Sequence, residues 1–363
     1  FRLNKLLRIS LAADKNFGNG WSGTVEAIFN KNINEIYYEN VNILPPTVTL
    51  TGNGADTRRI YTTGNAPTRI PMRSNGVNPY QGNIFLLSNN KGPKGYSYNF
   101  TVGVSKVIPR SGFSFNANYT YGQSVTTYEG TSSQNNSQWN NMINALGRNF
   151  VTRSNSDFSL GHRITAYVSK KFTYAKGTLG TTVSLFYTGQ SGEPMSYVYS
   201  NSLIRDVNNN NARDLIYIPT EAELAGMTFV ASGGVTPDAQ KAALNLYINS
   251  DKYLRENRGK YAERNGSRLP FTNIIDLSIK QDFNIKVGGK SYQFQLTYDV
   301  FNFGNMLNRN WGRTYFLGNF SSYGLIAVNS FTGTTPRYTF NTTNVGRTPW
   351  AISNTSVPSQ ASR

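Results

Sequence analysis

Cysteine is absent from all 363 residues, so the chain forms no disulfide and offers no thiolate to a metal or a substrate. Histidine occurs once, at His162, which leaves no room for a histidine-based metal centre or a Ser-His-Asp triad. His162 itself reads as a residue at the start of a strand. No window approaches about 18 consecutive apolar residues, which excludes a membrane-spanning helix. Paired carboxylates at acid–base spacing, a glycine-rich phosphate loop and a nucleophile elbow are all missing, so no enzymatic activity is expected. Acidic residues are scarce, 19 against 36 lysines and arginines, for a net charge of +17. The cations are scattered, with no run of five and no nucleic-acid-binding motif, so nucleic acid is not an expected partner. No charged, then apolar, then small-residue signal pattern opens the chain at Phe1, so no signal peptide is expected within it. The chain reads as a mature or truncated piece of something longer.

Aromatic residues, by contrast, are abundant, with 23 Tyr and 21 Phe, although the mean hydropathy is negative. They recur with a period of two. In 95–107, Tyr96, Tyr98, Phe100, Val102 and Val104 share one face, opposite Ser97, Asn99, Thr101, Gly103 and Ser105. In 112–124, Phe113, Phe115, Ala117, Tyr119 and Tyr121 oppose Ser114, Asn116, Asn118, Thr120 and Gly122. Such alternation marks strands, and about ten residues of it is the length that a tilted strand needs to cross a bilayer. The pattern repeats in 3–14, 21–37, 161–174, 178–191, 272–285 and 290–303, giving eight long strands.

Four connections between these strands are tight, at Lys15 to Gly20, Ile108 to Ser111, Ala175 to Gly177 and Lys286 to Gly289, and each carries Gly or Pro. The others are long: 38–93, 129–160, 192–271 and everything after 304. Strict alternation of short and long connections is the habit of outer-membrane barrels, with short periplasmic turns and long extracellular loops. The expected fold is therefore all-β, an antiparallel transmembrane β-barrel. Its apolar faces would meet lipid and its Asn, Gln, Asp and Lys faces water, although periodicity alone does not say which side lies inside. Within the connections, 237–254 predicts a short helix, and 82–87 and 320–328 predict strands that extend above the membrane. The positive charge then suits lipopolysaccharide phosphates, an anionic luminal ligand or plain solvation.

Several stretches together resemble TonB-dependent receptors, specifically the Oar-like group with a carboxypeptidase-regulatory-like N-terminal domain. They are Gly20-Trp21 with Thr24 to Asn34, Tyr37 to Val41, Leu86 to Asn90 leading into Gly95 to Asn99, Tyr119 to Gly122, Phe158 to Arg163, Asp214 to Pro219, Asp299 to Phe303 and Pro349 to Ser353. The resemblance implies a 22-stranded barrel closed by a plug and driven by TonB, in the outer membrane of a Gram-negative bacterium. It implies that residues 1–363 are the C-terminal portion of a single barrel domain, because the plug, the TonB box, the earlier strands and the usual last strand do not occur. The partners it implies are membrane lipid and lipopolysaccharide, TonB through the plug region, and surface or periplasmic proteins. Import of a substrate bound at extracellular loops is the function implied. A barrel that serves secretion or surface assembly, a passive porin and a soluble carbohydrate-binding β-protein are the alternatives.

Three sets of site residues follow. Asp206, Asn208, Asn210 and Asp214 place oxygen ligands at alternate positions, as a structural Ca²⁺ would need, without the central Gly and distant Glu of a calcium loop; an Asn-rich polar turn is the other reading. Asn99, Asn116, Asn118, Arg163, Asp276, Lys280, Gln293, Gln295 and Asp299 would line the lumen and contact the plug, or simply solvate the wall. Trp139, Tyr197, Tyr199, Trp311 and Tyr315 are the loop aromatics expected to touch a ligand, or else to pack the loops.

Overall fold

The structure, a computed structural model, describes residues 1–70, 72–74, 78–80, 82–130, 132–150, 152–207, 213–318 and 321–353. Eight long strands form one sheet: β1 (Lys5–Gly18), β2 (Trp21–Asn34), β3 (Tyr96–Ile108), β4 (Phe113–Thr126), β5 (Gly161–Tyr174), β6 (Leu179–Gln190), β7 (Thr272–Val287) and β8 (Lys290–Val300). Each pairs antiparallel with its neighbours in chain order, so the sheet is a simple meander. Among the described residues β1 and β8 each keep one unpaired edge, and the sheet does not close on itself.

The short turns are fastened to the hairpin beside them. Gly20 has φ +79°, and its carbonyl accepts from Val107 N–H at 2.9 Å. A Cβ there would collide with the Val107 carbonyl, so both the angle and the space require glycine. Gly112, with φ +67°, repeats the arrangement one hairpin further on, accepting from Lys171 N–H at 2.8 Å.

One expected strand boundary is displaced. The alternation predicts a single strand over 21–37, but β2 stops at Asn34 and a new strand, Ile36–Asn40, pairs instead with Phe85–Asn89. Glu35 causes the break. Its buried carboxylate accepts from Gly95 N–H at 2.9 Å, Thr127 N–H at 3.0 Å and Thr126 Oγ1 at 3.1 Å, which draws the backbone out of the ladder. The predicted helix is also divided, into Pro237–Ser250 and Lys252–Glu256, because Asp251 adopts an extended conformation. Its Oδ1 accepts from Leu254 N–H at 2.8 Å and caps the second segment. The strands expected near 82–87 and 320–328 are present as Phe85–Asn89 and Ser322–Thr332.

The hydrophobic core lies in the long connections, not in the main sheet. Its centre is the strand Pro194–Tyr199, which runs parallel to Ser322–Thr332 and antiparallel to Ser267–Arg268. Met195, Tyr197, Tyr199, Leu203, Ile216, Leu244, Ile248, Ile326 and Tyr338 pack around it. Among the described residues, Val125 is the one buried hydrophobic residue that belongs to the eight long strands.

Candidate functional site: the polar wall and the loop assembly

The strand registers sort every side chain of the sheet onto one of two faces. Thr101 pairs with Thr120, Thr120 with Arg163 and Arg163 with Gln190, and the rows on either side continue in step. On this face stand all the residues expected to line a lumen: Asn99, Asn116, Asn118, Arg163, Asp276, Lys280, Gln293, Gln295 and Asp299. Short polar side chains bond across the strands here. Thr101 and Thr120 hydroxyls lie 3.0 Å apart, Ser169 and Ser184 2.9 Å, and Ser22 and Ser105 2.6 Å. Asp282 accepts from Gln295 at 2.7 Å and from Lys171 at 2.8 Å. A cross-strand ladder of hydroxyls, amides and paired charges is a surface built to meet water. Tyr167 and Phe186, paired with ring centroids 6.0 Å apart, interrupt it beside Asp276.

The opposite face carries Leu7, Ile9, Leu11, Val25, Phe29, Phe100, Val102, Tyr119, Val168, Leu185, Phe294, Leu296 and Tyr298, and these remain exposed. Nothing else in the described chain covers them. Contiguous apolar surface of that extent is rare on a protein surrounded by water. The aromatic residues gather towards the strand ends: Phe113 and Tyr121 in β4 are separated by eight residues, roughly 26 Å of strand, close to the height of the apolar band on a membrane barrel.

Above the sheet, the long connections are held by buried charge. Arg148 donates through Nη1 to Asp206 and, at 3.3 Å, to Asp214, and its Nε reaches the Asn140 carbonyl at 2.9 Å. Asp214 also accepts from Ser202 Oγ and Ile204 N–H, both at 2.8 Å. Burial raises the Asp206 carboxyl above its ordinary range, against the pull of Arg148, since one guanidinium serves two carboxylates. The two aspartates of the proposed calcium loop thus meet an arginine; Asn208 and Asn210 lie outside the described residues. Arg58 is equally enclosed. Its Nε lies 2.9 and 3.0 Å from the two oxygens of Asp56, its Nη1 donates to the Ala145 and Leu215 carbonyls at 2.9 Å each, and its plane sits 4.4 Å from the Tyr261 ring centroid. Burial disfavours its charge, but the Asp56 carboxylate, together with the Tyr199 and Tyr261 hydroxyls, holds the guanidinium above its ordinary value.

Where the loops join β2, β3 and β4, Glu129 accepts from Asp157 N–H at 3.1 Å and Ser156 Oγ at 3.3 Å. Arg264 spans the same junction, donating to the Thr126 carbonyl at 2.6 Å. Burial, reinforced by Asp157, pushes Glu129 up to about 7. Sequence reasoning missed Glu35, Arg148, Glu129 and Arg264, because their partners are far away along the chain, and Arg58, because its burial depends on the distant Ala145 and Leu215 carbonyls although Asp56 is two residues away.

Of the aromatics expected to contact a ligand, Trp139, Tyr197 and Tyr199 are 0 % exposed. Trp139 donates to Asn149 Oδ1 at 2.8 Å, and Tyr197 to Asp251 at 2.8 Å, so both act in holding loops together. Trp311 and Tyr315 do reach the surface, in a cleft of about 310 Å³ shared with Phe271 and Ile275. Ile275 belongs to the apolar face, which places that cleft on the outward side of β7, not over the polar wall. A larger cleft, about 630 Å³, opens among the connections and is lined by Ser200, Ser232, Tyr323, Phe340, Asn341 and Thr343 among others, none of them charged.

A strand meander that is apolar on its uncovered face and polar on the other, with alternating short and long connections, defines an outer-membrane strand protein. The chain belongs to the outer membrane beta barrel domain family, whose model matches residues 1–339. That membership places it in the outer membrane of a Gram-negative bacterium. No curated protein and no solved structure matches it.

Proposed function

We propose that this chain forms part of a TonB-dependent receptor, in which the polar face of the sheet lines a conduit and the loop assembly captures a ligand outside the cell. The apolar face turns to acyl chains and the short turns to the periplasm. Energy comes from TonB acting on a plug that occupies the conduit, not from chemistry at this wall. One observation carries the membrane-wall part of the reading: among the described residues the eight long strands contribute only Val125 to the buried hydrophobic residues, so their apolar faces need a non-aqueous surrounding. The packed loops support capture, because a ligand cleft needs a rigid body behind it, and the buried Arg148 and Arg58 clusters hold the connections together. The uncharged lining of the 630 Å³ cleft suits a neutral, hydrogen-bonding ligand, with Tyr323 and Phe340 offering apolar surface.

Single-channel recording on protein extracted from outer membranes tests the conduit. A plugged receptor is expected to be closed at rest and to open when mild urea loosens the plug. A steadily open channel would replace this reading with a passive porin. Photo-crosslinkers placed at Asn118 on the wall and Val102 on the other face are expected to capture protein and lipid respectively, and the reverse would overturn the assignment of the two faces.

A further inference from the structure

Some of the lysines that are scattered along the sequence gather in space. At the short-turn end of the sheet, Lys15, Lys106, Lys170 and Lys290 project from the apolar face, at the border of the exposed hydrophobic band. Arg110 and Lys176 stand at the tips of two of the turns. None of these six meets a carboxylate within ion-pair distance among the described residues. The acids at this end, Asp14 and Asp282, lie on the polar face, and Asp282 is already paired with Lys171. Outward, the rim is therefore purely cationic, and every one of the four hairpins contributes to it.

The cations alternate with aromatic rings. Lys106 sits between Trp21 and Phe115 in one register row, its ammonium 4.5 Å from the Trp21 ring centroid. Lys170 pairs with Phe113 and lies 5.8 Å from the Phe172 ring, while its Nζ donates to the Ser111 carbonyl at 2.6 Å and keeps two further donors free. Long cationic side chains with their stems on apolar surface and their heads at its edge are arranged to reach a polar interface.

We propose that this rim binds the phosphates of anionic phospholipids in the leaflet that faces the short turns. The inference rests on the two-faced reading above, which sets the rim at headgroup depth. Six unpaired cations bordering an apolar band, with no outward carboxylate, complement a negatively charged headgroup layer and gain nothing from a neutral one. Part of the surplus of positive charge thus has a destination on the side away from lipopolysaccharide.

Protein extracted from outer membranes and placed in bilayers of phosphatidylcholine with a minority of phosphatidylglycerol tests the idea by spin-label spectroscopy. Spin-labelled phosphatidylglycerol is expected to be enriched over phosphatidylcholine among the immobilised lipids by about two- to fourfold, and the preference should collapse in high salt. Replacing Lys15, Lys106, Lys170 and Lys290 by Gln should abolish the preference, whereas the same change at Lys91, Lys94, Lys252 and Lys260 of the long connections should leave it intact. Equal immobilisation of the two lipids by wild-type protein would overturn the proposal while leaving the two-faced reading standing. Selection of spin-labelled lipid A over phosphatidylglycerol would overturn it too. Absence of any immobilised lipid would overturn both. The salt dependence needs no variant, so a poorly folding substitution does not shield the idea.

Discussion

Lys171 on β5 reaches across β6 to place its ammonium 2.8 Å from the carboxylate of Asp282 on β7. The strand between them makes room because it presents Gly180, whose absent side chain would lie 3.2 Å from Lys171 Cε and 3.5 Å from the Asp282 oxygen. The Lys171 side chain is half-exposed, so the attraction is screened. Replacing Lys171 by Met is expected to lower stability by about 1 kcal/mol, and Gly180→Val should do at least as much by blocking the reach. Urea unfolding of the bilayer-embedded protein measures both, and a Gly180→Val variant as stable as wild type would remove the geometric explanation.

Neighbouring residues on β3 separate face from depth. Val102 lies on the apolar face and Thr101 on the polar one, a single residue apart and therefore at the same level in the membrane. Val102→Arg should destabilise the assembled barrel by about 2–4 kcal/mol if this level is near the midplane, and Thr101→Arg by much less. Comparing heat-modifiable, folded protein in outer membranes reads the difference. Equal losses would mean that the faces are wrongly assigned.

The Arg148 cluster should behave as a buried charge lock. Arg148→Met leaves Asp206 and Asp214 enclosed without their cation, and is expected to destabilise the loop assembly by about 3–5 kcal/mol. Protease sensitivity at the long connections should rise while the strands stay intact. Adding Asp206→Asn and Asp214→Asn should recover part of the loss.

Glu129 gives the loop junction a pH dependence. Its folded-state pKa of about 7 lies above the ordinary 4.5, so the protonated form favours the folded junction. That contribution is complete below about pH 4.5 and is lost as pH rises through about 7, by at most about 3 kcal/mol. Protection of the Asp157 amide against hydrogen exchange, corrected for the intrinsic rate, should fall over this range in the wild type. In Glu129→Gln the fall should vanish, and a fall that persists would assign the dependence to another group.

The alternation of the strands was legible because each side chain reports its face through position alone. Alternation alone places Thr101, Asn118 and Gln295 on one kind of face, and the registers put them on one surface. The break at Glu35 was not legible, because its cause sits at Gly95 and Thr127, across two other strands. Tyr167 and Phe186 were hidden for a related reason: a paired aromatic on a polar face violates the period that locates the face. In the loops no period operates, so sequence offered both ligand contact and loop packing for each aromatic and could not separate buried Tyr197, Tyr199 and Trp139 from exposed Trp311.

The strand Pro194–Tyr199 finds its parallel partner only in Ser322–Thr332, beyond the last two long strands. Hairpins of the main sheet can pair locally as they emerge, but the outer body cannot set until its final segment arrives. Maturation of this protein is therefore expected to run in two stages, first a membrane-embedded ribbon with slack surface loops and then a slow tightening of the exterior once the chain has crossed in full.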